Sequence, residues 1–350
     1  MSGRALLLPL SMLYGVVVTL RNWLFDIGVL PVRKVSVPVI SVGNISAGGV
    51  GKTPLVEFLA LRLKKKNKVA VISRGYGRKS KGYLVVSNGK QRCAEAWKAG
   101  DEASQLAEKM DGVVILVDEK RARAAEHAVK DFQAGVILLD DGFQHRYLHR
   151  DLNIVVLSFD SIIKGDSLLP AGNMRESMTS LKRADVIGIS RCESKEQFEK
   201  ARALLLGVVD RPMFGFRTQV KDIKTAYMNK KLQGKWKKAI AFSGIGTPSA
   251  FEETLKSKRI PVVRHMAFPD HHWYSRSDLE VIRHSFIDVE ADAIVTTEKD
   301  VARLNGDTGQ GQMFLKENPV YYVEIEPEMI VGEDMLQNKL KSFDYAHRNN

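Results

Sequence analysis

The sequence predicts an α/β protein: a doubly wound, mostly parallel sheet covered by helices on both faces, with an apolar helix before it and a smaller second α/β unit after it. Three observations carry that reading. Apolar runs suited to buried strands alternate with helix-patterned stretches from Val37 onward. A glycine-rich turn, Val42 to Pro54, joins the first of those runs to a helix. The rhythm then breaks near Arg211-Pro212 and resumes at Ala239.

Taken in order, the chain opens with Ala5 to Leu20, sixteen residues without a charge, flanked by Arg4 and Arg21 and continuing into Trp23-Leu24-Phe25. A membrane-crossing helix wants about 20 apolar residues, and this run also contains Pro9, Ser11, Gly15 and Thr19. No small-x-small cleavage site precedes the charged turn, which argues against a cleaved leader. Residues 1–30 therefore read as a membrane-associated helix lying in or dipping into the lipid, with Arg21, Trp23, Arg33 and Lys34 at the headgroup level. A buried core helix is the alternative.

Residues 31–210 hold the first α/β unit. Its strands are expected at Val37–Val42, Val69–Ser73, Val113–Val117, Val136–Asp140, Ile154–Ser158 and Val186–Ser190, with helices at Pro54–Lys66 and Glu119–Phe132. The spacing suits right-handed βαβ crossovers. Residues 211–236 alternate in the segments Phe214–Ile223 and Thr225–Leu232, the pattern of a lysine-rich two-stranded linker. Residues 237–350 form the smaller α/β unit, with strands at Ala239–Ser243, Val262-Val263 and Ala293–Thr297.

Composition narrows the function. With 350 residues, 44% hydrophobic, the chain can bury two cores, and its formal charge of +12 favours an anionic partner: nucleic acid, an acidic membrane face or a phosphorylated substrate. No zinc finger, stacking motif or basic recognition helix is present, so nucleic acid is not expected. Two cysteines, Cys93 and Cys192, cannot build a disulfide or zinc framework and fit a reducing compartment.

The turn from Gly43 to Thr53 carries the clearest chemistry. Gly48, Gly49 and Gly51 lead into Lys52-Thr53 between a buried strand and an amphipathic helix, the P-loop NTPase type of doubly wound fold. Backbone N–H groups there would surround the phosphates of ATP, Lys52 would reach the β/γ oxygens, and the Thr53 hydroxyl would serve Mg²⁺. Ser46 stands where the usual pattern has its first glycine. The strand Val136–Asp140 delivers Asp140 and Asp141 in the form of a Walker B element, suited to holding Mg²⁺. Ligands of open α/β sheets sit beyond the carboxyl ends of the strands, so both elements belong to one site.

Two further segments are ambiguous alone. Gly100-Asp101-Glu102 reads first as acids at a helix N-terminus. Asp270-His271 offers a carboxylate beside an imidazole, suited to proton transfer, although a lone imidazole is more often structural. His145 and His149 have helical spacing but no third ligand, and Arg146 and Arg150 would repel a cation.

Together these motifs resemble the tetraacyldisaccharide 4′-kinase family, the lipid A kinases. The resemblance runs along nearly the whole chain, through the phosphate loop, Ser73-Arg74-Gly75-Tyr76-Gly77, Gly100-Asp101-Glu102, Asp140-Asp141-Gly142-Phe143-Gln144-His145-Arg146, Leu169-Pro170-Ala171-Gly172, Arg175-Glu176, Phe268-Pro269-Asp270-His271 and Thr297-Glu298-Lys299-Asp300. Ser46 is ordinary for this family, while Asn173-Met174 and Ser177 depart from its pattern around Arg175-Glu176.

The resemblance implies transfer of the ATP γ-phosphoryl group to the 4′-hydroxyl of an acylated glucosamine disaccharide 1-phosphate, at the cytoplasmic face of the bacterial inner membrane. It further implies that Asp101 accepts the hydroxyl proton with His271 as its partner, and that Lys52 and Thr53 hold phosphate and Mg²⁺. Asp140, Asp141 and Glu176 would form the metal side, with Arg74, Gln144 and Arg175 contacting phosphate or substrate. An anionic membrane surface is an expected partner, and no obligate protein partner is inferred. A membrane-associated P-loop switch ATPase is the rival from another class. Its loop begins with a lysine where this chain has Ala47, and it leaves Asp270-His271 without a purpose. A nucleoside or metabolite kinase is the nearer alternative, against which the apolar N-terminus weighs.

Overall fold

The computed structural model describes residues 6–232, 235–306 and 309–344. Arg4 and Ala5, the expected start of the uncharged run, lie outside the described residues. Twelve strands follow one another as β1 (Val39–Gly43), β2 (Val69–Ser73), β3 (Leu84–Asn88), β4 (Val114–Val117), β5 (Val136–Asp140), β6 (Leu152–Ser158), β7 (Val186–Ser190), β8 (Met213–Thr225), β9 (Ala239–Ser243), β10 (Val262–Ala267), β11 (Ala293–Thr297) and β12 (Val320–Val331). The helices are α1 (Leu8–Asp26), α2 (Lys52–Leu63), α3 (Ala96–Ala99), α4 (Asp101–Lys109), α5 (Arg121–Lys130), α6 (Phe159–Lys164), α7 (Lys195–Leu206), α8 (Pro248–Ser257), α9 (Arg276–Asp288), α10 (Glu298–Asn305), α11 (Gln310–Glu317) and α12 (Glu333–Lys341).

All twelve strands join one sheet in the order β10-β9-β11-β12-β8-β7-β6-β1-β5-β2-β4-β3. Among these strands, β3 with β4 and β8 with β12 run antiparallel and the other neighbours run parallel. The central parallel strands are buried along their whole length and mostly apolar for a physical reason: alternate side chains enter different cores. Ile40, Val42, Val69, Val71 and Leu138 pack with Leu55, Val56 and Leu59 of α2, while Val39, Ala70, Ile72, Ile137 and Leu139 pack with the alanines of α5. The smaller unit repeats the scheme, Ile240 and Phe242 meeting Leu279 and Ile282 of α9, and Ala239 and Ala241 meeting Phe251 and Leu255 of α8.

The segments expected to form the linker have a more distant partner as well. Phe214–Ile223 lies within a single long strand, β8, whose long antiparallel ladder is with β12, over a register from Tyr321↔Thr225 to Val331↔Gly215. The segment after β8 folds back on its end more briefly, through the bridge Lys224↔Lys231 and the backbone hydrogen bonds Thr225 N to Lys230 O (2.8 Å) and Leu232 N to Ile223 O (2.8 Å). Local alternation declares a strand but not its partner, and the partner here arrives roughly a hundred residues later in the chain.

Helix α1 is amphipathic in the reverse sense. Its apolar residues, among them Leu13, Val16, Val17, Leu20 and Trp23, are exposed, and only Ser11 and Phe25 are buried. Its inward stripe is polar: Ser11 Oγ donates to Leu168 O (2.9 Å), Tyr14 Oη to Arg175 O (3.0 Å) and Asn22 Nδ2 to Glu176 Oε2 (2.7 Å), while Arg21 donates to Gln144 O. This excludes the core-helix alternative, which would bury the apolar side. By length and composition the helix could cross a membrane.

Candidate active site

Strand β1 ends at Gly43 and α2 opens at Lys52, with Gly51 as its N-cap at φ 80°. That left-handed conformation suits glycine, and it turns the free N–H groups of the first helical turn, with Lys52 and Thr53, toward the space above the sheet. Gly48 and Gly49 form the exposed tip. The loop is braced from outside: Ala47 N donates to Asn173 O (2.7 Å), Arg175 N to Ile45 O (2.7 Å), Gln144 Nε2 to Asn44 O (2.7 Å) and Arg191 Nη2 to Gly49 O (2.9 Å). Ser46 bridges to Met174 and is not among the positive-φ residues, so its position does not require glycine.

Beyond β5, Asp141 takes Lys52 Nζ at 3.3 Å on one oxygen and Arg175 Nη1 at 2.9 Å on the other. Burial alone would raise its proton affinity, but these cations hold it below the ordinary carboxylate value. Asp140 is the opposite case. It is buried, neither oxygen has a hydrogen-bond partner, and its pKa is pushed up to about 7 by burial, then by the negative charges of Glu102 and Asp141. Arg121, buried at the start of α5, has an unpartnered Nε and feels Asp141 and Asp140 as its main favourable charges.

The second half of the site is built where the two α/β units meet. Asp101 is the first residue of α4, and its N-cap is Gly100, at φ +89°. A Cβ on Gly100 would lie 2.7 Å from Tyr76 O, so both the dihedral and the space demand glycine. Asp101 is 3% exposed. Its Oδ2 accepts from His271 Nδ1 (2.8 Å) and from Arg303 Nε (3.2 Å) and Nη2 (2.5 Å), while Oδ1 accepts from Glu102 N (2.9 Å). Burial opposes ionisation, but the His271 hydrogen bond and the charges of Lys299 and Arg303 keep the carboxyl well below the carboxylate range. His271 moves the other way, its pKa raised above 6.5 chiefly by the bond to Asp101. Because an ionised carboxylate can only accept, Nδ1 carries the proton and the lone pair lies on Nε2, whose nearest ionic neighbour is Asp270 Oδ2 at 3.7 Å.

Arg303 and Lys299 escaped the sequence reading as individual residues. Arg303 is 1% exposed and also donates to Asp300 Oδ1 (2.8 Å) and Gly244 O (2.6 Å). Lys299 Nζ donates to Glu102 Oε1 (2.8 Å). Both lie on α10, so Thr297-Glu298-Lys299-Asp300 supplies a buried ionic socket for the Asp101 end of α4. The one available signal was spacing: Arg303 follows Asp300 by three residues, on the same helix face.

Gln144, Arg74 and Glu176 stand apart from these ion pairs. Gln144 uses its amide to brace the phosphate loop. Arg74 is exposed just past β2 and makes no hydrogen bond or ion pair among the described residues. Glu176 is held by Asn22 and Arg183, and among the described residues no hydrogen bond joins it to Thr53. His145 is buried among arginines, and burial and those charges, Arg121 first, push its pKa down to about 3.

The residues present fit a nucleotide-bound divalent cation. A fully buried carboxylate with two unpartnered oxygens, beside Asp141 and the Thr53 hydroxyl, is the donor set for a hard cation. Mg²⁺ typically takes one or two carboxylates and leaves its remaining positions to water and phosphate. Among the described residues no cluster of three or more His, Cys, Asp or Glu offers a complete protein cage.

Comparison with known proteins agrees with this construction. The family model described as tetraacyldisaccharide-1-P 4′-kinase matches residues 3–343. The tetraacyldisaccharide 4′-kinase of Pelodictyon phaeoclathratiforme is 35% identical over 348 residues, covering 96% of each chain, and that of Porphyromonas gingivalis strain W83 is 34% identical, covering 93% of each. The crystal structure of LpxK from Aquifex aeolicus in complex with ATP superposes with a TM-score of 0.81 at 34% identity, covering 98% of this chain and 99% of that one. With a whole-length family match, relatives above 30% identity and a shared fold, the chain belongs to the tetraacyldisaccharide-1-P 4′-kinase family.

Proposed function

We propose that the space between the phosphate loop and the Asp101–His271 pair is where this kinase phosphorylates the 4′-hydroxyl of its acylated disaccharide 1-phosphate, with Asp101 and His271 taking the hydroxyl proton as one unit. The observation that carries this is the 2.8 Å bond between Asp101 of the first α/β unit and His271 of the second. Phosphoryl transfer needs positioning and charge neutralisation more than covalent chemistry. ATP with Mg²⁺ supplies the electrophilic phosphoryl group. The chain's part is to hold charge around it: Lys52 and Arg175 from the cationic side, Asp140, Asp141 and Thr53 toward the metal, with Arg74 free to meet an incoming phosphate. Asp101 is too strongly ionised to keep a proton, so it fixes the Nδ1–H tautomer and leaves Nε2 to accept.

The division at residues 31–210, 211–236 and 237–350 is read as functional on the same ground. Proton acceptor and phosphate loop come from different units, so their approach completes the site and excludes water. A pH profile tests the pair. Protonated His271 cannot accept, so kcat should fall as pH drops through a value above its ordinary 6.5, and His271→Gln should abolish that acidic limb. A limb unchanged in His271→Gln would remove His271 from the proton path.

We further propose that α1 docks the enzyme on the anionic cytoplasmic face of the inner membrane. Its exposed apolar stripe and the nearby Arg33 and Lys34 support this reading, each basic residue contributing on the order of 1 kcal/mol near an anionic surface. Deleting residues 1–30 is a poor test, because Ser11, Tyr14, Arg21 and Asn22 brace the loops around Gln144 and Glu176. Leu13→Ser, Val17→Ser and Leu20→Ser together leave those bonds intact and remove about 1.5–3 kcal/mol of burial each. The triple variant should move to the soluble fraction and show a higher KM for the lipid with KM for ATP unchanged. Unaltered partitioning would place the anchor elsewhere.

A further inference from the structure

We propose that Glu252, His265 and Ser243 form a positioning relay that sets the placement of His271 and thereby the rate of phosphoryl transfer; the inference rests on the Asp101–His271 reading above. Ser243 is the last residue of β9, and its Oγ lies 2.9 Å from His265 Nε2. His265 Nδ1 lies 2.7 Å from Glu252 Oε1 on α8. With Glu252 ionised, Nδ1 carries the proton and Nε2 accepts from the Ser243 hydroxyl.

The arrangement has the connectivity of a Ser-His-acid triad, but Ser243 is 0% exposed. No carbonyl can reach its Oγ, so acyl transfer is excluded. What the relay does reach is Gly244. The Gly244 N–H donates to Asp300 Oδ1 (3.1 Å), and its carbonyl accepts both from Arg303 Nη1 (2.6 Å) and from the backbone N–H of His271 (3.2 Å). One peptide unit thus touches the arginine that holds Asp101 and the backbone that carries His271.

That backbone needs imposing. His271 sits at φ 58°, a left-handed conformation that a non-glycine residue adopts only where its surroundings hold it there. The strand leading to it, β10, is the outermost of the sheet, pairs only with β9, and has a register shift between Val262 and Arg264. Backbone pairing therefore secures it on one side only. The His265–Ser243 bond clamps β10 to the end of β9 two residues short of the Ala267↔Ser243 pair, just where the chain departs toward His271.

Glu252 is the cleanest probe, because its side chain is 45% exposed and its loss leaves no hole in a core. Glu252→Ala and Ser243→Ala should each lower kcat about 10–100-fold, the scale of a misplacement near 1 Å, with KM for ATP unchanged. Glu252→Gln keeps an acceptor for Nδ1–H and should restore most of the rate. In a His271→Ala background neither Glu252→Ala nor Ser243→Ala should reduce kcat further. Wild-type kcat in Glu252→Ala, or a loss that multiplies with His271→Ala, overturns the relay while leaving the Asp101–His271 pair standing. Full activity of His271→Ala itself would remove the pair and the relay together.

Discussion

Lys52→Ala should fold normally and lose phosphoryl transfer by about 10²–10³-fold in kcat, the cost of removing one preorganised group that stabilises developing charge. The fold should survive for a specific reason. The partner of Lys52, Asp141, keeps its 2.9 Å pair with Arg175, so no carboxylate is stranded. The lost 3.3 Å pair is the longer of the two that Asp141 makes. Thermal denaturation should therefore change little while turnover of the lipid substrate collapses. A folded variant with the original rate would show that the phosphate loop does not serve the transfer.

The Asp101–His271 pair should give the second large effect. Removing a positioned base typically costs about 10²–10⁴-fold, and groups that act as a unit lose much less in combination than the product of their separate losses. Asp101→Asn, His271→Ala and the double variant should each be impaired in kcat, the double little worse than the more damaged single, with ATP binding retained. Asparagine is preferable to alanine at Asp101. Arg303 is 1% exposed, and stripping away its partner would cost on the order of 3 kcal/mol, mixing a folding defect into the kinetics. Full multiplication of the two single effects would assign Asp101 and His271 to independent tasks.

Much of the fold was legible because parallel strands buried on both faces leave an unbroken apolar signature. Val69–Ser73, Val136–Asp140, Val186–Ser190, Ala239–Ser243 and Ala293–Thr297 coincide with β2, β5, β7, β9 and β11. The partner of β8 was not legible, since nothing in an alternating pattern encodes which distant segment completes the ladder. The phosphate loop and Asp140-Asp141 could be read because their spacing is their mechanism. Arg303 could not: an arginine in Glu298-Lys299-Asp300-Val301-Ala302-Arg303 looks like a solvated helix face until Asp101 arrives from another unit. Glu176 is the mirror case. Its neighbours Asn22 and Arg183 are remote in sequence, and they engage the carboxylate expected to face the metal side.

The late arrival of β12 has a consequence for synthesis. Every residue assigned here to the chemistry precedes residue 304, yet β8 has no antiparallel partner until residues 320–331 leave the ribosome. Leu336 and Leu340 of α12, which close the core beneath the phosphate-loop helix, emerge later still. At about 5–20 residues per second, the nascent nucleotide-binding half waits on the order of ten seconds with a long strand edge open to mispairing. A chain cut short just after Asn305 would carry the complete catalytic inventory and still lack the strand that welds its two halves into one sheet. Late frameshifts should therefore surface as aggregated protein rather than as soluble enzyme of reduced rate.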